Sequence, residues 1–379
     1  MKNTLIISLD FPPTIGGIAS YVEQIAGEFP PENFVILAPK TKNASYDDKF
    51  SFTVERFNLF FPKFLAPRWL RLYFIIKKLV KKYGIEIIHL HHAAPVALAA
   101  KRIKKKLGVP YMIFSHGTDI AAASKGKWGR ASLIDACIQA EQVITNSNSL
   151  DRRLVAQFQT LENRTTVLYP CPDKSFLTPP EQEKVDKLKS QLALEGKRVI
   201  LSIARLEHGK GFTNLTRHLP AILEEVPNLV WIIVGEGSQK QNLLKMVQKY
   251  SLQNIVRFIG HVPHDEIKTY YYLSDVFILL THPYQGMEEG LGLVFLEASA
   301  TGIPMIAGMS GGVEEAVIHE KTGLVVDTYN ETQVKEAIAR LLKDEKYASA
   351  LGKAAQQRII KDFSWEKQLE KLRPWMFEE

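Results

Sequence analysis

Residues 285–298 read Gln285-Gly-Met-Glu-Glu-Gly-Leu-Gly-Leu-Val-Phe-Leu-Glu-Ala298, and the apolar run Val276-Phe-Ile-Leu-Leu280 precedes them. The run predicts a buried strand, and the pattern from Leu293 onward predicts a helix, after a loop that holds Gly290 and Gly292. The first N–H groups of a helix have no backbone partner. A strand, a glycine-bearing loop and a helix start therefore predict an anion site.

Two carboxylates flank the predicted anion site. Glu289 lies in the loop, and Glu297 lies about one turn into the helix. Ionised carboxylates accept hydrogen bonds and donate none, so hydroxyl groups are their natural partners. A nucleotide sugar supplies a diphosphate for the helix start and hydroxyl pairs for the two acids. The alternative is two solvated acids near a helix start, where acids are common.

The composition is that of a globular protein with two domains. The chain has 379 residues, of which 46% are hydrophobic and 23% are charged. Its two cysteines, Cys137 and Cys171, make no disulfide framework and no metal-ligand spacing, which favours a reducing compartment. The N-terminus predicts a first strand and not a signal peptide, and no apolar run approaches the roughly 18 residues of a membrane span. We expect a cytoplasmic protein.

Basic residues are concentrated in the first half of the chain. Residues 1–175 hold 24 basic and 14 acidic residues, a net charge of +10, while the remainder has a net charge of −3. Residues 56–106 contain 13 basic residues and one acid, Glu86. This asymmetry predicts an anionic partner for the first half. Nucleic acid is not the expected partner, because the charge is local and no nucleic-acid motif accompanies it.

Short apolar segments alternate with helical patterns in both halves of the chain, as in parallel sheets with helices on their faces. The predicted strands are 4–9, 34–38, 86–90, 111–114, 143–146 and 166–168, and then 199–203, 229–234, 256–259, 276–280, 304–307 and 324–327. We predict an α/β protein with two doubly wound domains in tandem. Ligands bind at the carboxyl ends of such strands, so the cleft between the domains is the expected site.

Two features follow strands of the first half. Gly16-Gly17 stands between the first strand and a helix, where glycine lets the backbone approach a ligand; a tight turn is the alternative. His116 follows a strand in Ser115-His-Gly-Thr-Asp119 and could donate to a sugar hydroxyl or act on a leaving group. A packed, hydrogen-bonded histidine is the alternative. His89-Leu-His-His92 has no zinc-ligand spacing.

Cations follow the first strand of the second half. Arg205 makes forked contacts to phosphate oxygens, and Lys210, between two glycines, would act as a point charge. Together they could neutralise a diphosphate without a metal, and no Asp-x-Asp pair is present to hold Mg²⁺. A solvated basic turn is the alternative.

Two further turns of the second half carry glycines. Gly235-Glu-Gly237 is a poor match to a dinucleotide fingerprint, because Lys240 replaces the third glycine. It more plausibly turns the chain at a sheet edge, which makes a nicotinamide enzyme a poor candidate. Ile259-Gly260 follows another strand and could present its backbone to a nucleotide base.

These motifs, in this order and spacing, resemble those of the retaining GT-B glycosyltransferases of family four over nearly the whole chain. The residues that carry the resemblance are Gly16-Gly17, His116 to Asp119, Asn146-Ser-Asn-Ser149, Arg205, Lys210-Gly211, Gly235-Glu-Gly237 and the pair Glu289 and Glu297. The resemblance departs from the family pattern at Tyr169-Pro-Cys-Pro-Asp173, where the family often has Asn-Gly-Val-Asp. That departure concerns the hinge and not the chemistry.

The resemblance implies a role for each matching residue. The catalytic set would be His116, Arg205, Lys210 and Glu289, with the two cations on the diphosphate, and with His116 and Glu289 on the donor sugar. Glu297 would bind the ribose hydroxyls. The remaining donor-binding residues would be Gly16, Gly17, Gly235, Ile259, Gly290, Leu291, Gly292, Leu293 and Val294. The resemblance also implies retention at the anomeric carbon, no required metal and no cofactor.

We therefore expect a GT-B protein with one domain at 1–175, joined by a crossover helix at 362–379, and a nucleotide-sugar-binding domain at 176–361. It would move a hexose, with UDP-glucose as the expected donor, to a glycan or lipid-linked acceptor, as in polysaccharide or cell-envelope biosynthesis. A GDP-mannose-dependent mannosyltransferase is the alternative. A nucleotide-sugar epimerase, a phosphorylase or a non-catalytic binder could share the same scaffold.

Residues 62–106 could also meet a membrane. Their first part combines Trp69, Phe74, Ile75 and Ile76 with two arginines and five lysines, and 101–106 adds a second basic cluster. Basic amphipathic helices can lie in a bilayer interface, so peripheral binding to the inner face of the plasma membrane is expected. The alternative is a helix that packs its apolar side on the sheet and leaves its lysines solvated.

Overall fold

The computed structural model of the chain describes residues 1–14, 16–42, 44–93, 95–117 and 127–377. It divides into two compact units, which we call the first unit (Met1–Pro170 with Trp365–Glu379) and the second unit (Cys171–Ser364). The boundaries predicted from the sequence were 175/176 and 361/362. Residues 378 and 379 of the predicted crossover segment lie outside the described residues.

The first unit contains a parallel sheet. Its strands are β1 (Thr4–Ile7), β2 (Phe34–Pro39), β3 (Thr53–Phe57), β4 (Ile87–Leu90), β5 (Tyr111–Ser115), β6 (Val143–Thr145) and β7 (Thr165–Val167). They are ordered β3-β2-β1-β4-β5-β6-β7. The helices that follow in the chain are α1 (Gly17–Gly27), α2 (Leu70–Tyr83), α3 (Val96–Leu107), α4 (Lys127–Gln139) and α5 (Asn148–Gln157), with 3₁₀ turns at Pro31–Asn33, Ala44–Lys49 and Gln159–Leu161.

The second unit repeats this architecture. After a 3₁₀ turn (Lys174–Leu177), its strands are β8 (Arg198–Ile203), β9 (Leu229–Val234), β10 (Val256–Gly260), β11 (Val276–Leu279), β12 (Met305–Gly308) and β13 (Leu324–Val326), ordered β10-β9-β8-β11-β12-β13. Its helices are α6 (Gln182–Gln191), α7 (Phe212–Glu225), α8 (Lys240–Lys249), α9 (His264–Leu273), α10 (Leu293–Thr301), α11 (Val313–Ala316), α12 (Glu331–Lys343) and α13 (Glu345–Asp362). The prediction of two doubly wound α/β domains is confirmed.

Inner strands of both sheets are buried on both faces, as is typical of parallel sheets. All four residues of β1 and all six residues of β9 are buried, so helices cover both faces of each sheet. Strands buried on both faces read as continuous apolar runs, which is the pattern that the sequence displays there.

The predicted strands omitted β3. Its sequence, Thr-Val-Glu-Arg-Phe, does not form a continuous apolar run, and all five residues are partly or fully exposed. The strand lies at the end of the first sheet, where it pairs with β2. An edge strand needs no continuous apolar run, and periodicity therefore misses it.

Helices α2 and α3 bury their apolar sides against the first sheet. Leu72, Ile76 and Leu79 of α2 belong to the same buried cluster as Ile103 of α3 and Ile88 of β4. Ile76, which the sequence pattern grouped with the membrane-facing residues, is fully buried here. Among the described residues, no helix has the length and hydrophobicity required to cross a bilayer.

The last segment of the chain belongs to the first unit. It contains α14 (Trp365–Leu369), a 3₁₀ turn (Glu370–Leu372) and α15 (Arg373–Met376). The Lys2 N–H donates to the Met376 carbonyl oxygen at 2.9 Å, and Lys371 Nζ donates to the Val167 carbonyl oxygen at 2.8 Å. These bonds fasten the segment to β7 and to the residues before β1.

The C-terminal end of helix α10 packs directly against α13. A Cβ atom added at Gly352 in α13 would lie 1.9 Å from the carbonyl oxygen of Gly302, the residue that ends α10. The two backbones are therefore in direct contact, and no side chain fits between them. This contact fixes the C-terminal end of α10.

We expect Gly352→Ala to destabilise the second unit by about 1–3 kcal/mol, because overpacking would push the two helices apart. The loss corresponds to about 2–4 °C in the thermal midpoint for each kcal/mol. Gly27→Ala is the control, since an added Cβ at that helix end meets no described atom within 4 Å. Equal midpoints for the two variants, measured by differential scanning fluorimetry, would contradict the prediction.

Candidate functional site

The loop before α10 is fixed by its own backbone and by a neighbouring loop. Tyr284 and Met287 exchange two N–H to carbonyl bonds of 2.9 Å, which close a tight turn. The Glu289 N–H donates to Ser310 Oγ at 3.1 Å, and the Glu289 carbonyl oxygen accepts from the Gly312 N–H at 3.0 Å. Glu289 therefore has a defined position before any ligand binds.

Helix α10 begins in a conformation that requires glycine. Gly292 has φ +84°, and a Cβ atom added there would lie 2.6 Å from Cδ2 of Phe295. The helix then presents its first N–H groups, at Leu293 and Val294, without side-chain caps. The predicted anion site thus has its expected strand, loop and helix start, with Gly290 and Leu291 in the loop.

Lys210 reaches the same loop from the turn after β8. Its Nζ forms an ion pair with Oε2 of Glu289, and the two side chains are 24% and 18% exposed. Gly211, which precedes α7, has φ +77° and lies so close to Leu280 that a Cβ atom would be 1.9 Å from the Leu280 carbonyl oxygen. The structure therefore brings together Lys210 and Glu289, which were assigned from the sequence to the diphosphate and to the donor sugar, respectively.

Arg205 lies in the same turn but points outward. It is exposed, and it forms no hydrogen bond or ion pair through its guanidinium with any described residue. Hydrogen bonds from Ser238 and, to a lesser degree, the charge of Arg205 lower the pKa of Glu207. Arg205 is thus a solvent-facing cation in the turn that carries Lys210.

The Gly235-Glu-Gly237 turn packs against the turn of Arg205. The Gly235 N–H donates to the Gly260 carbonyl oxygen at 2.7 Å, and the Leu206 N–H donates to the Glu236 carbonyl oxygen at 2.9 Å. The expectation that this turn lies at a sheet edge is wrong, because β9 lies between β8 and β10. Ile259 is half-buried in β10, next to an irregular pairing with β9.

Glu297 is buried inside the second unit. It is 4% exposed, and its Oε2 accepts a hydrogen bond from the Tyr271 hydroxyl at 3.0 Å. Burial raises the pKa of Glu297, while the positive potential of His264 and the bond from Tyr271 act in the opposite direction. Tyr271 was not identified from the sequence. The only signal was an aromatic run, Tyr270-Tyr-Tyr272, between two predicted strands.

The glycine pair of the first unit is not required by packing. Gly16 has an extended backbone with φ 162° and precedes α1, which begins at Gly17. A Cβ atom added at either residue would meet no described atom within 4 Å. The space beside this helix start is therefore open among the described residues.

His116 lies at the carboxyl end of β5 in a group of aromatic rings. Its Nε2 is 3.3 Å from Nδ1 of His91, and its ring meets Tyr21 edge-on at 5.2 Å between centroids. Burial lowers the pKa of His116 to about 3, and the nearby His92 contributes. Thr118 and Asp119, which complete the predicted motif, lie outside the described residues.

The predicted residues thus divide between the two units. Gly16, Gly17 and His116 lie at the carboxyl edge of the first sheet, and the other predicted residues lie in the second unit. Within the ranges that the structure describes, no three His, Cys, Asp or Glu side chains are placed to hold a metal ion. The ligand contacts of all these residues, and the absence of a metal requirement, remain predictions.

Comparisons with known proteins agree with this architecture. The family profile described as Glycosyltransferase Family 4 matches residues 15–176, and the profile described as Glycosyl transferases group 1 matches residues 184–358. The chain therefore belongs to the family-4, group-1 glycosyltransferases, and its fold is the two-domain Rossmann-like GT-B fold. It is an enzyme that transfers glycosyl groups, which disfavours a non-catalytic binder.

Among the similar proteins is a GDP-mannose-dependent alpha-(1-6)-phosphatidylinositol monomannoside mannosyltransferase of Mycolicibacterium smegmatis, 30% identical over 95% of this chain and 94% of its own. The Mycobacterium tuberculosis protein of the same name is 29% identical over 97% and 96%. The crystal structure of Anabaena HepE in complex with UDP and glucose has a TM-score of 0.81, with 18% identity over 98% of each chain. At that identity the likeness shows the fold alone.

We expect Lys210→Ala to lower kcat by about 10²–10³-fold, with a smaller change in KM, because negative charge on the leaving group grows toward the transition state. Lys343→Ala is the matched control, since Lys343 also pairs with a glutamate, Glu225, at 2.7 Å, but both of these side chains are exposed. Steady-state kinetics on both variants checks this. A raised KM with unchanged kcat would remove Lys210 from the leaving group.

The buried His89 should make the first unit sensitive to acid. Burial lowers its pKa to about 3, and neither ring nitrogen has a hydrogen-bond partner among the described residues. Below the unfolded pKa of about 6.5 the unfolded chain binds a proton that the folded chain does not. Stability therefore falls as the pH drops from about 6.5 toward 3, by about 2 kcal/mol at pH 5.

The His89→Leu variant should lose less thermal stability than the unmodified chain between pH 7 and pH 5. Ile6→Val, which truncates a fully buried residue of the same sheet without a titrating group, should shift the midpoint equally at both pH values. Thermal melts at the two pH values test the prediction. An acid shift that His89→Leu leaves intact would assign the effect to other groups.

Proposed function

We propose that the enzyme is a GDP-mannose-dependent mannosyltransferase that acts on an anionic, lipid-linked acceptor. The choice of GDP-mannose as donor rests on the names of relatives. Relatives that match almost the full chain at 29–30% identity bear names that specify GDP-mannose. The structural neighbours with UDP share only 13–19% identity, which supports no donor assignment. This favours GDP-mannose over UDP-glucose.

The ion pair at the start of α10 suggests how the donor is held. A diphosphate at the N-terminus of the helix would attract Lys210, and the incoming anion would compete with Glu289 for its charge. Glu289 would then be free to accept hydrogen bonds from hydroxyls of the sugar. A fixed cation and a helix dipole aimed at the departing diphosphate stabilise the charge that develops there.

Retention at the anomeric carbon and catalysis without a metal are part of this proposal. Both rest on the family resemblance, and the metal-free catalysis rests also on Arg205 and Lys210, the two cations in the turn after β8. Nuclear magnetic resonance of the freshly formed product reports the anomeric configuration. Activity should persist in EDTA, and a complete loss that Mg²⁺ restores would overturn the metal-independent mechanism.

A cavity of about 410 Å³ in the first unit fits the acceptor class. It opens at the carboxyl ends of β2 and β3, the edge where ligands of such sheets bind. Its walls combine three phenylalanines (Phe57, Phe60 and Phe61) with three cations (Lys40, Arg68 and Arg71). Aromatic walls with cations suit an amphiphile that carries a negative head group.

The same part of the first unit offers a surface for an anionic membrane. Phe64 is 83% exposed in the loop before α2, and Phe74 on α2 is 55% exposed. Phe74 shares one face of α2 with Arg71, Lys78 and Lys81, because these residues are three to four positions apart. Trp69 and Ile75 instead pack against the buried core, so they do not serve this surface.

The donor assignment predicts a preference in turnover. With a phosphatidylinositol mannoside acceptor, kcat/KM for GDP-mannose should exceed that for UDP-glucose by at least about tenfold, which corresponds to about 1.4 kcal/mol. Release of the two nucleotides measures the preference, and a donor-only reaction controls for hydrolysis. Faster use of UDP-glucose would instead support a glucosyltransferase.

The membrane surface predicts binding that depends on salt. The chain should co-sediment with vesicles of anionic phospholipid at low salt and dissociate as salt is added, because exposed charges are screened. The double variant Lys78→Ser with Lys81→Ser should bind more weakly, and Phe64→Ser should weaken binding at all salt concentrations.

The matched control is Lys187→Ser with Lys245→Ser, which removes two exposed lysines from the second unit. It should leave vesicle binding unchanged. Binding that ignores salt and all of these substitutions would place the contact elsewhere on the chain.

A further inference from the structure

Two histidines that follow neighbouring strands of the first sheet are joined by one hydrogen bond. His91 follows β4, His116 follows β5, and these strands pair in parallel. Nδ1 of His91 lies 3.3 Å from Nε2 of His116, and the ring planes differ by 20°. One ring must donate and the other must accept, so the bond links the tautomer of one ring to that of the other.

The surroundings of His91 determine which of the two rings donates the hydrogen bond. Its other nitrogen, Nε2, is buried and has no hydrogen-bond partner among the described residues. A proton on that nitrogen would leave a buried N–H unpaired, an arrangement that folded proteins rarely tolerate. With the proton on Nδ1, His91 donates to Nε2 of His116, and Nε2 of His91 is left as a bare acceptor.

The ring of His91 is also held in place. It stacks on Phe114 with 4.4 Å between centroids and 18° between planes, and Tyr21 packs against it at 5.8 Å. The backbone N–H of His91 donates to the Ile7 carbonyl oxygen at 2.9 Å. Burial holds the pKa of His91 well below its ordinary value, with the charge of His116 as a further cause, so both rings are neutral near pH 7.

His116 then has one nitrogen left for a substrate. Its Nε2 accepts from His91, so its proton lies on Nδ1, and His116 is only partly buried. We propose that His91 is a positioning residue that fixes His116 as the Nδ1–H tautomer, so that Nδ1 donates a hydrogen bond to an oxygen of the bound substrate. The proposal rests on the proposed function and on the role at the donor sugar that the family resemblance implies for His116.

The test compares His91→Asn with His91→Leu in the full chain. The amide nitrogen of asparagine can stand where Nδ1 stood and donate to His116, whereas leucine cannot. Nitrogen-15 spectra of the histidine rings report the tautomer without substrate, and a His116→Ala spectrum assigns the signal. The unmodified chain and His91→Asn should show Nδ1–H at His116, and His91→Leu should show a mixture or Nε2–H.

Kinetics supply the second readout. His91→Leu should lower kcat at least about tenfold with little change in donor KM, which corresponds to about 1.4 kcal/mol in the transition state, and His91→Asn should recover most of the loss. His89→Leu is the matched control. It removes a buried imidazole of β4 that forms no hydrogen bond to His116, so tautomer and kcat should stay unchanged.

The tautomer is measured without substrate, so its result does not depend on whether the proposed function is correct. An Nε2–H signal for His116 in the unmodified chain would overturn the role of His91, whatever the activity and even if His91→Leu failed to fold. Unchanged tautomer and kcat in His91→Leu would overturn it as well. Full activity of His116→Ala would instead remove His116 from the substrate, while the tautomer result would still stand.

Discussion

The ion pair between Lys210 and Glu289 joins the loops that follow two neighbouring strands, β8 and β11. Both side chains are mostly withdrawn from water, and an unpaired charge in such a place is unfavourable. Each therefore keeps the other in position until a stronger partner arrives. The proposed diphosphate would be such a partner, because it carries more charge than a carboxylate and could also accept hydrogen bonds from the helix start.

The same constraint explains why the surrounding backbone is so tightly fixed. The turn that carries Lys210 meets the chain after β11 without space for a side chain, and the loop that carries Glu289 is bonded to the loop after β12. At its far end, α10 is in backbone contact with α13. A charged pair with rigid supports needs little rearrangement when charge develops on a leaving group, which is the condition for electrostatic catalysis.

Much of this could be predicted from the sequence. Apolar runs marked the buried strands, and glycines with nearby charges marked the carboxyl ends of β8 and β11, because these signals depend on neighbouring residues alone. The pairings that organise the sites depend on distant residues. Lys210 meets Glu289, Tyr271 meets Glu297 and His91 meets His116 only after the strands have taken their order in the sheet. The periodicity of the sequence does not reveal the order of the strands, so it cannot predict which two distant residues will meet.

The identity of the nucleotide-sugar donor could not be predicted from the motifs for a different reason. The roles proposed for Glu289, Glu297 and Lys210 concern hydroxyls and phosphates, which every nucleotide sugar has. The base would lie near half-buried positions such as Ile259, where backbone groups and shape discriminate. Such contacts leave no particular residue type in the sequence, so relatives of similar length are a better guide to the donor than any motif.

The route of the chain through the two units has a consequence for synthesis on the ribosome. The second unit is continuous, from Cys171 to Ser364, whereas the first unit needs residues from both ends of the chain. Lys2 cannot bond to Met376, nor Val167 to Lys371, until the last turns have left the exit tunnel. The amino-terminal sheet is therefore made before the segment that packs on it, and its β7 edge stays uncovered until that segment is available.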